Sequence, residues 1–315
     1  MSGVIGHIAN PTADDAVALA VRSEQSGARW IGFADAFWWR DVWMLLTAVA
    51  GATERIEIGP AMTNAYLRHP FHTASALATL HGLAPGRVFC GLAAGGSEVT
   101  GAAHLDRRDA PERASALAAT IRGVAAGEPL DAASGRRLDV SLPATPILMA
   151  GRGDRMLRAA GRAADRVLLW AMPDADLDRS VSLVLDGAKD RPRPPQLIWA
   201  PLVRHAEIPA ASLGHVAVYA ALNTRADLRS VWGLDTPLVD SIRRTLVAGG
   251  TSAAIDLVPP AALDDLTVDP DDSARVIERA RQLGVTEIAV PGFAASTVEQ
   301  QLQWASEVEQ QLGSH

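Results

Sequence analysis

Asp35, the pair Thr63-Asn64, the pair Gly95-Gly96 and the triplet Gly151-Arg152-Gly153 are the residues of this 315-residue chain whose types and spacing can do chemistry. Each stands just past a short apolar run. Thr63 and Asn64 can donate hydrogen bonds to carbonyl and ring-nitrogen acceptors, which orienting a heterocyclic cofactor requires. Gly151-Arg152-Gly153, with Asp154 poised to cap the next helix, can present backbone N–H groups and one guanidinium to a phosphate. Gly95-Gly96 lets the backbone approach a ligand closely, and a plain turn accounts for the two glycines equally well. Asp35 reads either as a polar partner for a bound ring and its reacting edge or as a solvated cap of the segment beginning near Trp39. Glu98 is a second carboxylate able to supply a proton, or an exposed loop acid. His7 and Asn10, near the end of the first apolar run, can face a substrate; His7 can also be a hydrogen-bonded buried histidine.

Aromatic residues gather near these positions. Trp38 and Trp39, with Trp43 one helical turn on, read as a lid or hydrophobic substrate wall or, for Trp39 and Trp43, as core. Trp170, at the end of a later apolar run, is placed with the substrate wall. His69-x-x-His72 has metal-like spacing, but no further ligand accompanies it, so no metal is expected.

The elements that must position these groups alternate between β-branched runs and helical patterns, the signature of parallel βα units. Strands are expected at Val4–Ile8, Arg29–Ala34, Ile56–Ala61 and Val88–Leu92. Helices are expected over Asp14–Ser26, Asp41–Ala52 and Phe71–Leu83, with Pro70 in the first turn of the last. After Gly101 the pattern loosens through a helix near Pro111–Ala126 and a polar loop through Asp131–Arg137. Regularity returns with strand Ile147–Ala150, helix Asp154–Ala164, strand Arg166–Trp170, helix Asp174–Lys189 and a seventh strand over Leu197–Arg204. Residues 206–250 carry helical patterns of uncertain placement, and Val285–Val290 with Thr297–Leu312 makes a final pair. No linker divides the chain, so residues 1–315 are expected to close into one (β/α)8 TIM barrel with insertions, its chemistry at the C-terminal ends of the strands.

Composition narrows the function. A net charge of −7 argues against nucleic acid as the main partner. Cys90 is the only cysteine, which excludes an intrachain disulfide and fits a reducing, cytoplasmic setting. The first residues lack the marks of an export signal, and no run of 18 apolar residues suggests a membrane span.

Three segments, in order, resemble the bacterial luciferase-like superfamily, and within it the oxidoreductases that use the deazaflavin coenzyme F420. They are Gly27-Ala28-Arg29-Trp30-Ile31-Gly32-Phe33-Ala34-Asp35-Ala36-Phe37, then Ile56-Glu57-Ile58-Gly59-Pro60-Ala61-Met62-Thr63-Asn64-Ala65-Tyr66-Leu67-Arg68-His69-Pro70, then Pro146-Ile147-Leu148-Met149-Ala150-Gly151-Arg152-Gly153. The second continues through Gly86-Arg87-Val88-Phe89-Cys90-Gly91-Leu92. Residues 1–170 carry most of the likeness. Gly59-Pro60 already demands a bulge, since Pro60 donates no hydrogen bond. The resemblance implies that this bulge holds a non-prolyl cis peptide at Ala61–Met62 behind the cofactor ring. It also implies a cofactor site made of Asp35, Ala61, Met62, Thr63, Asn64, Gly95, Gly96, Gly151, Arg152 and Gly153, and a homodimer as in many relatives. Several members carry His after the strand-two Asp and an acid after the first strand-four glycine; here Ala36 and Gly96 stand there. Their loss disfavours a sugar-phosphate substrate and suits one already activated, a conjugated C=C or a C=N bond reduced by hydride from F420. The alternatives are an FMN-dependent monooxygenase and a non-catalytic flavin- or deazaflavin-binding protein.

Overall fold

The computed structural model describes residues 2–6, 11–96 and 103–313. Eight parallel strands form the central sheet: β1 (Gly3–Gly6), β2 (Trp30–Phe33), β3 (Glu57–Pro60), β4 (Cys90–Leu92), β5 (Ile147–Ala150), β6 (Arg166–Trp170), β7 (Gln196–Ala200) and, last in the chain, β10 (Glu287–Gly292). Their order is β3-β2-β1-β10-β7-β6-β5-β4. Single parallel bridges, Ile58 with Val88 and Thr63 with Leu92, join the two outer strands, so the sheet comes round nearly to closure as a barrel. Strands β8 (Leu202–Val203) and β9 (Thr267–Val268) form a separate two-stranded ribbon. The expected seventh strand Leu197–Arg204 is therefore two pieces. Pro201 offers no backbone N–H to a continuing ladder, and the chain changes partners there.

The helices are α1 (Ala13–Gln25), α2 (Val42–Ala52), α3 (Pro70–Leu83), α4 (Ala110–Ala125), α5 (Asp154–Ala163), α6 (Asp174–Ala188), α7 (Ala210–Asn223), α8 (Ala226–Val231), α9 (Thr236–Ile255), α10 (Pro260–Leu266), α11 (Ser273–Leu283) and α12 (Val298–Leu312). Local sequence explains their ends. Thr12 and Asp15 form a capping box at α1. Pro70 opens α3, and Gly284, at a φ of 67°, closes α11 in the left-handed conformation.

Three apolar clusters result. The largest lies between the sheet and its outer helices and includes Leu19, Leu46, Leu77, Leu117 and Leu157. A second fills the barrel interior with Ile5, Trp30, Phe89, Leu148, Leu168 and Ile198. The third belongs to the insertion between β7 and β10, where α7 packs with α9 and α10 around Leu213, Val218 and Ile242. No described helix is long and apolar enough to cross a membrane.

At the N-terminal mouth a closed set of polar groups caps the interior. Glu287, 1% exposed, accepts from the Trp30 indole and from Gln196 Nε2 at 3.0 Å, and pairs with Arg29 at 3.0 Å. Beside it Arg166 grips Glu57 with two hydrogen bonds, of 2.6 and 3.2 Å.

Candidate active-site cleft

The opposite mouth opens into a cleft of about 820 Å³. One wall is the chain just past β3. Ala61 N donates to Phe33 O (2.7 Å), and Met62 O accepts from Asp35 N (3.3 Å). Thr63 N donates to Gly91 O, and Thr63 O accepts from Ala93 N, both at 2.9 Å. These bonds tie residues 61–63 to the ends of β2 and β4 at once, making a backbone shelf over the filled interior. The Ala61–Met62 peptide is cis, as the resemblance implies. Gly91 lets the strands meet so closely, because a Cβ there would lie 2.2 Å from Pro60 O and 2.6 Å from Met62 Sδ.

Asp35 stands beside the shelf and accepts a 2.6 Å hydrogen bond from Thr63 Oγ1. Burial raises its carboxyl above the usual range, against the lowering effects of the Thr63 hydrogen bond and of nearby Arg68. The helix-cap reading of Asp35 falls away: Asp41 caps α2, accepting from Trp43 N at 2.9 Å and Met44 N at 3.3 Å. The expected donation from Thr63 to a cofactor ring also changes. Its one hydroxyl proton goes to Asp35 while that acid is ionised, and becomes available to a ligand when Asp35 is protonated and donates instead. Asn64 Oδ1 accepts from Tyr66 N and Leu67 N, at 2.9 and 3.1 Å, which leaves Nδ2 as the donor of that side chain.

A second wall comes from β5 and β6. Gly151, Arg152 and Gly153 line it, and Gly153 is the N-cap of α5 with no side-chain cap bond. Arg152 Nη2 donates to Trp170 O (2.8 Å) and Ala171 O (2.7 Å), so one arm of this guanidinium holds the β6 loop. Its Nη1 is buried with no partner. Burial pushes the group down to about 10, which still leaves it charged at neutral pH.

Gly95, Gly96, Trp38, Trp39 and Trp170 line the same cleft. Trp38 is half exposed against Phe37 in an edge-to-face pair, centroids 4.9 Å apart, whereas Trp43 is buried in core. His69 Nδ1 accepts from Phe71 N at the start of α3. His7, Asn10 and Glu98 lie outside the described residues. Sequence reasoning missed His215, Tyr219 and Asn223 of α7, and Arg107, which donates to Gly95 O at 2.7 Å; all four line the cleft. The spacing of four between the α7 residues was a usable signal in the unplaced region 206–250.

Residues 2–287 match the family described as luciferase-like monooxygenase. A 5,10-methylenetetrahydromethanopterin reductase of Methanolobus tindarius is 26% identical over 281 residues, covering 84% of this chain and 86% of that protein. Among solved structures, the coenzyme F420 dependent tetrahydromethanopterin reductase of Methanopyrus kandleri superposes with a TM-score of 0.77 at 21% identity, covering 96% of both chains. The oxygenating constituent of 3,6-diketocamphane monooxygenase of Pseudomonas putida, solved with FMN, gives 0.67 at 15% identity over 98% of both chains.

Proposed function

The chain belongs to the luciferase-like monooxygenase family, and from that premise we propose that it is an oxidoreductase whose cleft holds the deazaflavin coenzyme F420 and passes hydride to a small organic substrate, reducing an activated C=C or C=N bond. One observation carries the reading: a backbone shelf and a glycine-flanked helix start with a buried, partnerless Arg152 Nη1 share a single cleft. A flat ring with a phosphate-bearing tail satisfies both. Residues 61–63 would support the ring from behind, Asn64 Nδ2 would donate to a ring acceptor, and Gly151–Gly153 with Arg152 would receive the phosphate. The reductase name of the relative that spans most of the chain supports this choice.

When bound, the coenzyme supplies the carbon that gives up hydride. The residues do the rest. Trp38, Trp39 and Trp170 narrow the cleft and displace water from the reacting face. Burial favours the protonated form of Asp35, and in that form its carboxyl can donate along the 2.6 Å contact to Thr63 Oγ1, which frees the Thr63 hydroxyl to donate a hydrogen bond to a bound ring. Glu98 remains the proposed proton donor, and His7 and Asn10 the proposed substrate contacts. The protein is proposed to work as a homodimer, with the exposed Phe37, Trp38 and Met44 lying on the face a second copy covers.

Sharing its fold with an FMN complex supports a second reading, an FMN-dependent monooxygenase. Parallel titrations decide between them. F420 binding with a micromolar or lower Kd and no measurable FMN binding is the expected result; FMN binding alone would reverse the assignment.

A further inference from the structure

Helix α7 is apolar nearly all round. From Leu213 to Asn223 the only side chains with polar groups are His215, Tyr219 and Asn223, spaced by four and so aligned on one face. They are also the only half-buried residues in that stretch, the others being buried. The back of the helix packs into the insertion core, where Gly214 sits against Ile255. All three polar residues line the cleft. A helix with a buried back ordinarily turns its polar face to open solvent; this one turns its few polar groups to the cavity.

The stripe is ordered. The His215 and Tyr219 rings lie 5.2 Å apart at 57°, and Asn223 Nδ2 donates to Tyr219 O at 2.8 Å. It carries no fixed charge, and burial lowers the His215 imidazole below its ordinary value, which favours the neutral ring near pH 7. The cleft's arginines are engaged away from the stripe. Arg107 bonds Gly95 O, Arg155 bonds Glu112, Arg108 pairs with Asp106, and Arg152 holds the β6 loop through Nη2, its Nη1 being the group assigned above to the phosphate.

Resting on the functional reading above, we propose that His215, Tyr219 and Asn223 form the substrate-selecting wall of the cleft. His215 accepts a hydrogen bond from an O–H or N–H group of an uncharged, flat, largely apolar substrate. Tyr219 packs its tilted ring against that imidazole and limits its rotation, which makes it a positioning residue, and the tryptophans take up the substrate's apolar body.

The test uses two probes of nearly equal shape, 2-naphthol, which has a hydroxyl donor, and 2-methoxynaphthalene, which has none. Their affinities are measured calorimetrically on the protein with and without F420, alongside the imidazole NMR signals of the labelled histidines. One neutral hydrogen bond predicts about two- to tenfold tighter binding of 2-naphthol, with a shift of the His215 resonance that only this probe causes. His215→Ala should abolish the preference, His215→Gln should restore part of it, and Tyr219→Phe should keep it, while the Kd for F420 changes less than about twofold in all three. Equal affinity for the two probes in the parent protein, or a preference that survives His215→Ala, overturns the proposal. Failure of the parent protein to bind F420 counts instead against the functional reading, and the probe pair measured without coenzyme still decides the wall.

Discussion

At the N-terminal mouth of the barrel two carboxylates are held by several partners: Glu287 by Trp30, Gln196 and Arg29, and Glu57 by Arg166. At the C-terminal mouth, about 820 Å³ of space is bounded by tryptophans, glycines and backbone, with Arg152 Nη1 left without a partner and Asp35 raised by burial. Both ends cap the same apolar interior. A satisfied network stabilises and leaves nothing for a ligand, whereas an incompletely satisfied one keeps binding capacity in reserve. The two mouths should therefore respond oppositely to substitution, the first losing stability and the second losing affinity.

The largest effect should come from Glu287→Ala, which strips Arg29, Gln196 and the Trp30 indole of their acceptor. A loss of about 3 kcal/mol in urea unfolding is expected, as for other broken buried pairs, with F420 affinity of the folded fraction preserved. A large loss of affinity with little loss of stability would erase the contrast between the mouths. Gly91→Ala lies where the contrast blurs, since its Cβ would collide with Pro60 O beneath the shelf. It should cost about 1–3 kcal/mol of stability by overpacking and also weaken F420 binding, both read from one set of calorimetric scans.

Arg152→Met should act on affinity. Loss of a charge-assisted hydrogen bond corresponds to about 1.5–3 kcal/mol, or roughly ten- to a hundredfold in Kd for F420. An unchanged Kd would remove Arg152 from the phosphate corner. Asp35→Asn gives the smallest effect and the clearest sign. Because burial raises the folded-state pKa above the ordinary 3.8, the stability this acid contributes is complete below that value and is lost as pH rises through the raised one. The variant escapes that loss. Its Tm relative to the parent should thus climb as pH rises from the ordinary 3.8 through the raised value; a flat difference would show that the acid titrates normally.

Much of this asymmetry was legible in the sequence. A distortion at Gly59-Pro60 follows from local rules, because proline and glycine constrain backbone wherever they occur, whereas the cis peptide of the shelf at Ala61–Met62 was legible only through the family resemblance. Strands Ile147–Ala150 and Arg166–Trp170 stand as expected, their apolar runs bounded by clear turns. The misses were tertiary. Nothing local announces that Thr63 donates to Asp35, 28 positions earlier, or that Arg152 turns to the carbonyls of Trp170 and Ala171. The N-terminal network joins residues as distant as Trp30 and Glu287, 257 positions apart, and leaves no mark in any window. Helix α7 escaped because its placement over the cleft depends on packing within the insertion, and periodicity reports a helical face without saying what it meets.

A crystal structure of the protein soaked with saturating F420 tests the central claim most directly. The account predicts the tricyclic ring lying on residues 61–63 with its phosphate at Gly151–Gly153 and against Arg152. A ring bound anywhere else, or a cleft left vacant at coenzyme concentrations far above the measured Kd, would contradict it.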